Sequence, residues 1–368
     1  MFDVARNMPF TMRIANTADA ITPNQTWEQP YSNLTISTLA PNWQWGDPTT
    51  YVPQWSFTVQ RQFSESTSIE AAYVGSAGVH LYRTTYYNEQ QTGPPAANLN
   101  LRRPYPQFGF VQDVAGASHS SYHSMQLRLQ RRLSKGFSVL SSFTWQKAID
   151  DGSGVRQALG DSYVPQDVYN LRAERGPSAF QYRYGWVTSA LYELPIGRGK
   201  PVLRNGNKIV DAFLGGWQMG GIYNLSAGFP FSVFCQSGST YQNTDTTCRA
   251  DATGQDPSIS NPKPDRWFNL AAFTNRIGFV PGVGPYRFGT SGRNVVIGPG
   301  VSQLDFSMQK VFRPTERMNV EFRSEFFNIA NHPIFATPGN TVGTPTYGVI
   351  SGTRLPSRQI QFALKLRF

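Results

Sequence analysis

RQIQFALKLRF, from Arg358 to Phe368, decides the reading of the chain. Ile360, Phe362, Leu364, Leu366 and Phe368 fall on one face, and Gln359, Gln361, Ala363, Lys365 and Arg367 on the other. A period of two is the pleat of a β-strand with one apolar and one polar side. The run is longer than the five or six residues usual in soluble strands and matches the roughly 9–11 that a tilted strand needs to cross a bilayer.

The same pattern recurs toward the amino terminus. Trp55, Phe57 and Val59 alternate with Ser56, Thr58 and Gln60; the polar turn Ser64-Glu65-Ser66 then leads to Ile69, Ala71 and Tyr73. Met125, Leu127 and Leu129 are followed by the turn Ser134-Lys135-Gly136 and by Phe137, Val139, Phe143 and Trp145. Tyr182 to Leu194, Trp217 to Leu225, and the pair Leu304–Met308 and Val320–Phe326 continue the series. Apolar alternation interrupted by short polar turns is the hairpin signal. About nine strands are expected, near 54–63, 67–76, 122–133, 137–148, 180–194, 216–231, 302–313, 317–328 and 358–368, with a possible tenth in Val79–Tyr87. Three connections are tight turns and 195–215 is intermediate, whereas 88–121, 149–179, 232–301 and 329–357 are long.

Composition agrees with this reading. The 368 residues carry a net charge of +10, yet only 15% are charged and 14% are aromatic, which excludes disorder throughout. Two cysteines exclude a disulfide-dense scaffold and a Cys-rich zinc module. No apolar run reaches the length of a transmembrane helix. Met1 to Ala20 is broken by Arg6, Asn7, Arg13 and Asn16 and lacks the apolar core of an export signal. Read alone, that start belongs to a cytoplasmic chain, and the strand pattern contradicts it. A soluble β-sandwich shares the alternation. Strand length, alternating short and long connections, and charges opposite the aromatics favour an antiparallel up-and-down barrel of the outer membrane. Residues 1–50, with Trp27, Trp43 and Trp45 among Pro, Asn and Gln, read as a loop-like segment before a barrel portion spanning 51–368.

Asn319 to Pro333 (NVEFRSEFFNIANHP), Phe335–Pro338, Tyr347-Gly348 and the terminal strand resemble the closing strands of TonB-dependent receptors of the Oar-like type. Leu127–Trp145 and Gly216–Val233 extend the resemblance, which covers roughly residues 50–368. It implies a transporter barrel of typically 22 strands around a plug, with ligand captured by extracellular loops and energy drawn from the TonB complex. About nine strands and no recognisable plug imply the carboxyl-terminal part of such a barrel. The implied partners are outer-membrane lipid, the barrel assembly machinery, a transported ligand, and the TonB complex only through the plug. Leu366 and Phe368 match the amphipathic, aromatic-ended strand by which the assembly machinery captures such barrels. A surface adhesion barrel and a soluble β-sandwich binding module are the alternatives.

Catalytic and cofactor chemistry finds little support. His119 and His123 lie i, i+4 on a strand, about 13 Å apart, without a completing ligand. Asp150-Asp151-Gly152-Ser153-Gly154 lacks the spacing of a calcium loop and reads as solvated loop. Gly197-Arg198-Gly199-Lys200 lacks the full phosphate-loop spacing, and no G-x-S-x-G elbow is present. The expectation is a non-enzyme without cofactor or metal. Cys235 and Cys248, in one polar loop, are a disulfide candidate in an oxidising compartment. The basic residues crowd near the short-turn ends, on faces opposite the aromatics, which does not fit nucleic-acid binding. Phe268, Phe273 and Trp267 are loop aromatics to which no ligand role is assigned.

Overall fold

The computed structural model describes residues 38–43, 46–95, 99–106, 110–155, 162, 164–204, 207–236, 246–315 and 318–368. Its strands are β1 (Thr38–Trp43), β2 (Gln54–Ser64), β3 (Thr67–Tyr86), β4 (Phe110–Ser134), β5 (Phe137–Asp150), β6 (Gly176–Pro177), β7 (Tyr184–Glu193), β8 (Trp217–Ser226), β9 (Pro230–Phe231), β10 (Asp251–Ala252), β11 (Phe273–Thr274), β12 (Val296–Ile297), β13 (Val301–Thr315), β14 (Met318–Phe327) and β15 (Gln359–Arg367), with one helix, α1 (Lys208–Leu214). The main sheet runs β15-β14-β13-β8-β7-β5-β4-β3-β2, with every neighbouring pair antiparallel. This is the meander expected from the sequence, and the nine long strands are those read from it.

The register gathers most apolar residues on one face and most polar residues on the other. Val59, Ala71, Leu127, Phe143, Trp186 and Leu225 stand opposite one another in turn, as do Gly221, Phe306, Phe326 and Ile360. On the other face the row is Gln60, Glu70, Arg128, Ser142, Val187, Asn224 and Gln303. One-residue slips would exchange the faces, so the pattern itself specifies the pairing. Most of the apolar wall is uncovered: Phe57, Leu127, Trp145, Trp186, Phe362 and Leu364 are exposed. A sandwich would bury this face against a second sheet; here the sheet has an apolar exterior and a polar interior, as a lipid-facing barrel wall requires. Among the described residues no helix is long and apolar enough to cross a membrane, and the crossing elements are strands.

Aromatics mark both ends of the wall. Trp55, Trp145, Tyr184 and Trp186 lie toward the long-loop end, and Phe63, Phe137, Tyr192 and Trp217 toward the short-turn end. Such paired girdles sit at the two membrane–water boundaries.

Several boundaries differ from the sequence expectation. Val79–Tyr87 is not a tenth strand but the continuation of β3, whose register shifts between Gly78 and Leu81. His80 takes a left-handed backbone there (φ 55°), and a side chain at position 78 would strike Leu81 and Ser120. The bulge breaks the period of two and hides the continuation. β4 begins at Phe110, far upstream of 122, so β3 and β4 form a ribbon much longer than a bilayer needs. β7 starts at Tyr184 and β8 ends at Ser226. The connection 195–215 holds α1, which the alternation does not reveal. β1 pairs in parallel with β4 within the segment read as loop-like, most of which lies outside the described residues.

Nine antiparallel strands leave the first and last, β2 and β15, running the same way. A direct seam between them would be parallel, whereas antiparallel closure takes an odd number of further strands. Bacterial barrels of this class close with even totals.

Candidate functional site

The connections 87–109, 151–183, 227–300 and 328–358 all leave the same end of the sheet, and their described residues pack together as a cap. Its apolar centre is Phe231, Val233, Ala250, Phe268, Ala272, Phe273 and Val296, with Trp267, Leu270, Val342 and Tyr347 around it. Phe268 meets Phe231, Phe273 and Tyr347 edge-on at 5.9, 6.2 and 5.4 Å between ring centres. Two short ladders, β9 with β12 and β10 with β11, hold these side chains in place. Trp267 donates its indole N–H to the Ile297 carbonyl at 2.9 Å. Phe268 and Phe273 are thus buried packing residues and present no face to a ligand.

Around this centre lies a set of buried ion pairs. Arg249 Nη1 meets Glu174 Oε2 at 2.7 Å, and its Nε donates to the Ser291 carbonyl at 3.0 Å. Arg287 grips Asp251 in bidentate fashion at 2.9 and 2.6 Å, while the Ile277 and Thr290 amides donate to the same carboxylate. Arg276 approaches Asp251 to 3.7 Å and donates to the Arg249 carbonyl at 2.8 Å. Arg293 pairs with Asp150 and donates through Nε to the Glu174 carbonyl at 2.7 Å. Glu89 accepts from Thr246 Oγ1 at 2.6 Å and from the Val168 amide at 3.0 Å. Buried charges persist where they are paired and hydrogen-bonded in this way.

The electrostatics follow from the partners. Burial by itself would raise the Asp251 carboxyl, but the Arg287 hydrogen bond, the Ile277 and Thr290 amides and the Arg276 charge together hold it below the ordinary carboxylate range. Burial pushes Asp167 the other way, upward, against the Tyr169 amide that donates to it. The Tyr347 phenol is also driven up by burial, and it donates to the Leu270 carbonyl at 3.2 Å.

The residues singled out in the sequence are placed as follows. Cys235 and Cys248 are joined by a disulfide, with Cα atoms 5.5 Å apart, and Arg276 Nη2 lies 2.8 Å from the Cys248 sulfur. The loop between them is mostly outside the described residues. Leu366 faces Val320 on the apolar wall, and Phe368 follows the end of β15. His123 bonds the Tyr73 hydroxyl at 2.8 Å and stacks on its ring, while His119 lies 3.7 Å from Asp151, so the two serve separate contacts. Among the described residues no cluster of three or more His, Cys, Asp or Glu is set to hold a metal. Gly197 and Gly199 take positive φ, 129° and 75°, in the turns that precede α1.

Asp150–Gly154, read as solvated loop, is in fact structural. Asp150 is buried against Arg293 and accepts from Ser153, and Asp151 accepts from Ser118 and the His119 amide. Arg293 lies 143 positions from Asp150 and Arg249 lies 75 from Glu174, which is why neither pair shows in local sequence.

A family model described as an outer membrane beta barrel domain matches residues 1–361. The chain belongs to that family. As an outer membrane barrel domain it resides in the cell outer membrane. Among solved structures, this barrel domain is similar to the outer membrane transporter YddB from Escherichia coli, at 10% identity and a TM-score of 0.45, over 87% of this chain and 33% of that one. It is also similar to the FrpB iron transporter (F3-3 variant) from Neisseria meningitidis, at 10% identity and a TM-score of 0.40, over 89% of this chain and 33% of that one. The barrel domain spans about a third of the length of these structures. A search of curated proteins finds no match.

Proposed function

We propose that this chain forms a section of the barrel of a TonB-dependent receptor-like transporter, of the Oar-like type, without catalytic activity. The observation that carries the reading is the odd strand path, β2 to β15, whose two edges run the same way and need further strands for antiparallel closure. Unpaired edges are costly in lipid. In this reading residues 51–368 are the barrel portion and residues 1–50 a loop-like segment beside it. The polar inner face, with Glu70, Arg128, Glu193 and Asp305, lines a passage. The cap supplies the outer surface that captures ligand. Contact with the TonB complex runs through a plug formed by other residues. Leu366 and Phe368 serve as the strand-end signal read by the assembly machinery.

Expression with an added signal sequence, followed by fractionation, tests the reading. The expected result is material that reaches the outer membrane and resists urea only when co-expressed with the remaining strands of a receptor barrel. A heat-modifiable barrel formed by the chain alone would overturn the partial-barrel reading. A soluble folded monomer would overturn the membrane reading as well. A surface adhesion role is the second reading, favoured by the exposed apolar tip formed by Ile277, Val280 and Val283 in the cap.

A further inference from the structure

The connection between β7 and β8 is built unlike the tight turns beside it. Between Pro195 and Gly216 the sequence holds four cations, Arg198, Lys200, Arg204 and Lys208, and one acid, Asp211. Asn207 caps α1 by accepting from the Val210 amide at 2.7 Å. Asp211 is turned inward and accepts from the Arg198 amide at 2.6 Å.

The helix is fastened to the apolar wall of the barrel. Trp217, at the start of β8, donates its indole N–H to the Phe213 carbonyl at 2.8 Å. Lys310 stands opposite Trp217 and Phe322 on the lipid-facing side of β13. It would be a misplaced charge there, but its Nζ donates to the Asp211 carbonyl at 3.3 Å and to the Gly215 carbonyl, and lies over the Trp217 and Phe312 rings. A cation under the carbonyl end of a helix is favourably placed. The helix thereby covers Lys310, while Ile209 (70% exposed), Phe213 (69%) and Leu214 remain open. Val202 and Leu203 are exposed in the same connection, as are Arg198 and Arg204, and Lys200 lies 3.5 Å from Glu193.

We propose that residues 195–204 and 207–216 form an interfacial anchor, with Ile209, Phe213 and Leu214 seated in the periplasmic leaflet and Arg198 and Arg204 holding the phosphates of anionic phospholipids. Apolar residues next to a net positive charge, at the boundary of a lipid-facing wall, are the composition of a helix lying in the membrane plane. The position continues the aromatic girdle that Tyr192 and Trp217 begin at this end. The inference rests on the membrane-spanning reading of the wall, so the test carries a control for it.

The test uses the full chain, refolded together with the remaining strands of a receptor barrel, in phosphatidylcholine vesicles containing phosphatidylglycerol. Spin labels are placed singly at Ile209→Cys, Leu127→Cys on the wall and Asp256→Cys in the cap, and depth is read from collision with oxygen and a water-soluble nickel chelate. The expected result is Leu127 in hydrocarbon, Asp256 in water and Ile209 at the headgroup–acyl boundary. Ile209 as water-accessible as Asp256, with Leu127 buried in lipid, overturns the anchor alone. Leu127 in water overturns both the anchor and the spanning wall. In a second arm, energy transfer from a fluorophore at Ile209→Cys to headgroup-labelled lipid measures local enrichment. Phosphatidylglycerol is expected to be enriched about fivefold over phosphatidylcholine, falling to parity in the double variant Arg198→Gln/Arg204→Gln. Enrichment unchanged by that variant overturns the headgroup assignment.

Discussion

Arg293, in the loop before β12, is paired with Asp150, the last residue of β5, across 143 positions of sequence, and both side chains are almost fully buried. The pair ties the cap to the end of a membrane-crossing strand. Arg293 also donates to the Glu174 carbonyl at 2.7 Å, and Glu174 in turn pairs with Arg249, so two long connections and the end of β5 meet at one point. Arg293→Met leaves the Asp150 carboxylate buried without its partner, which costs about 3–5 kcal/mol. The expected outcome is a cap cleaved by protease at the cell surface while the strands stay inserted. The double variant Arg293→Met/Asp150→Leu recovers most of the loss, because removing both charges is nearly neutral. Equal sensitivity of the single and double variants would show that the pair does not hold the cap.

Acid should release the cap late. The Asp251 carboxyl is held below its ordinary range, so its contribution is complete above the unfolded value of about 4 and is lost as pH falls through the lower folded value. Asp167, raised by burial, works in the opposite sense: its burial penalty is relieved by protonation as pH falls toward its raised value. Hydrogen exchange in Ala250–Ala252 is therefore expected to stay slow at pH 5 and to rise steeply only below about pH 4. Asp251→Asn removes that acid step. A midpoint above pH 5 in the parent chain would contradict the assignment.

The disulfide closes a short loop within the cap. Closing about 15 residues restricts the unfolded chain by about 3 kcal/mol in the loop-entropy account. Cys235→Ser/Cys248→Ser is expected to lower the denaturant midpoint of the cap by a comparable amount. The strands should keep their resistance, since Cys235 and Cys248 touch the cap and not the wall. Loss of strand insertion in this variant would show that cap and wall fold as one unit.

What was legible in the sequence was whatever repeats with period two. Ile360 to Phe368, Met125 to Leu129 and Phe137 to Trp145 each declare a face within a few residues, and the register merely aligns them. The bulge at Gly78 and His80 was not legible, because a one-residue shift in phase reads as a strand end. Lys310 was another break, a cation among Phe306, Met308 and Phe312, explained only by the helix folded over it. The cap was invisible for a different reason. Its partners, such as Asp150 and Arg293 or Glu89 and Thr246, are chosen by packing between loops, and no local spacing encodes them.

The two faces of β4 give the sharpest test of the wall. Leu127 points outward between Ala71 and Phe143, and Gln126 points inward between Ala72 and Thr144. An arginine on the lipid face near mid-membrane costs about 2–4 kcal/mol, whereas interior positions alter the passage rather than stability. Leu127→Arg should therefore abolish or sharply reduce the yield of membrane-inserted protein, while Gln126→Arg inserts at parental yield. Urea titration in vesicles reads the difference directly. In a water-soluble sheet with Leu127 exposed, the order would reverse, since a surface arginine is tolerated and often improves solubility. Equal yields for the two variants would mean that the apolar face of β4 does not meet lipid.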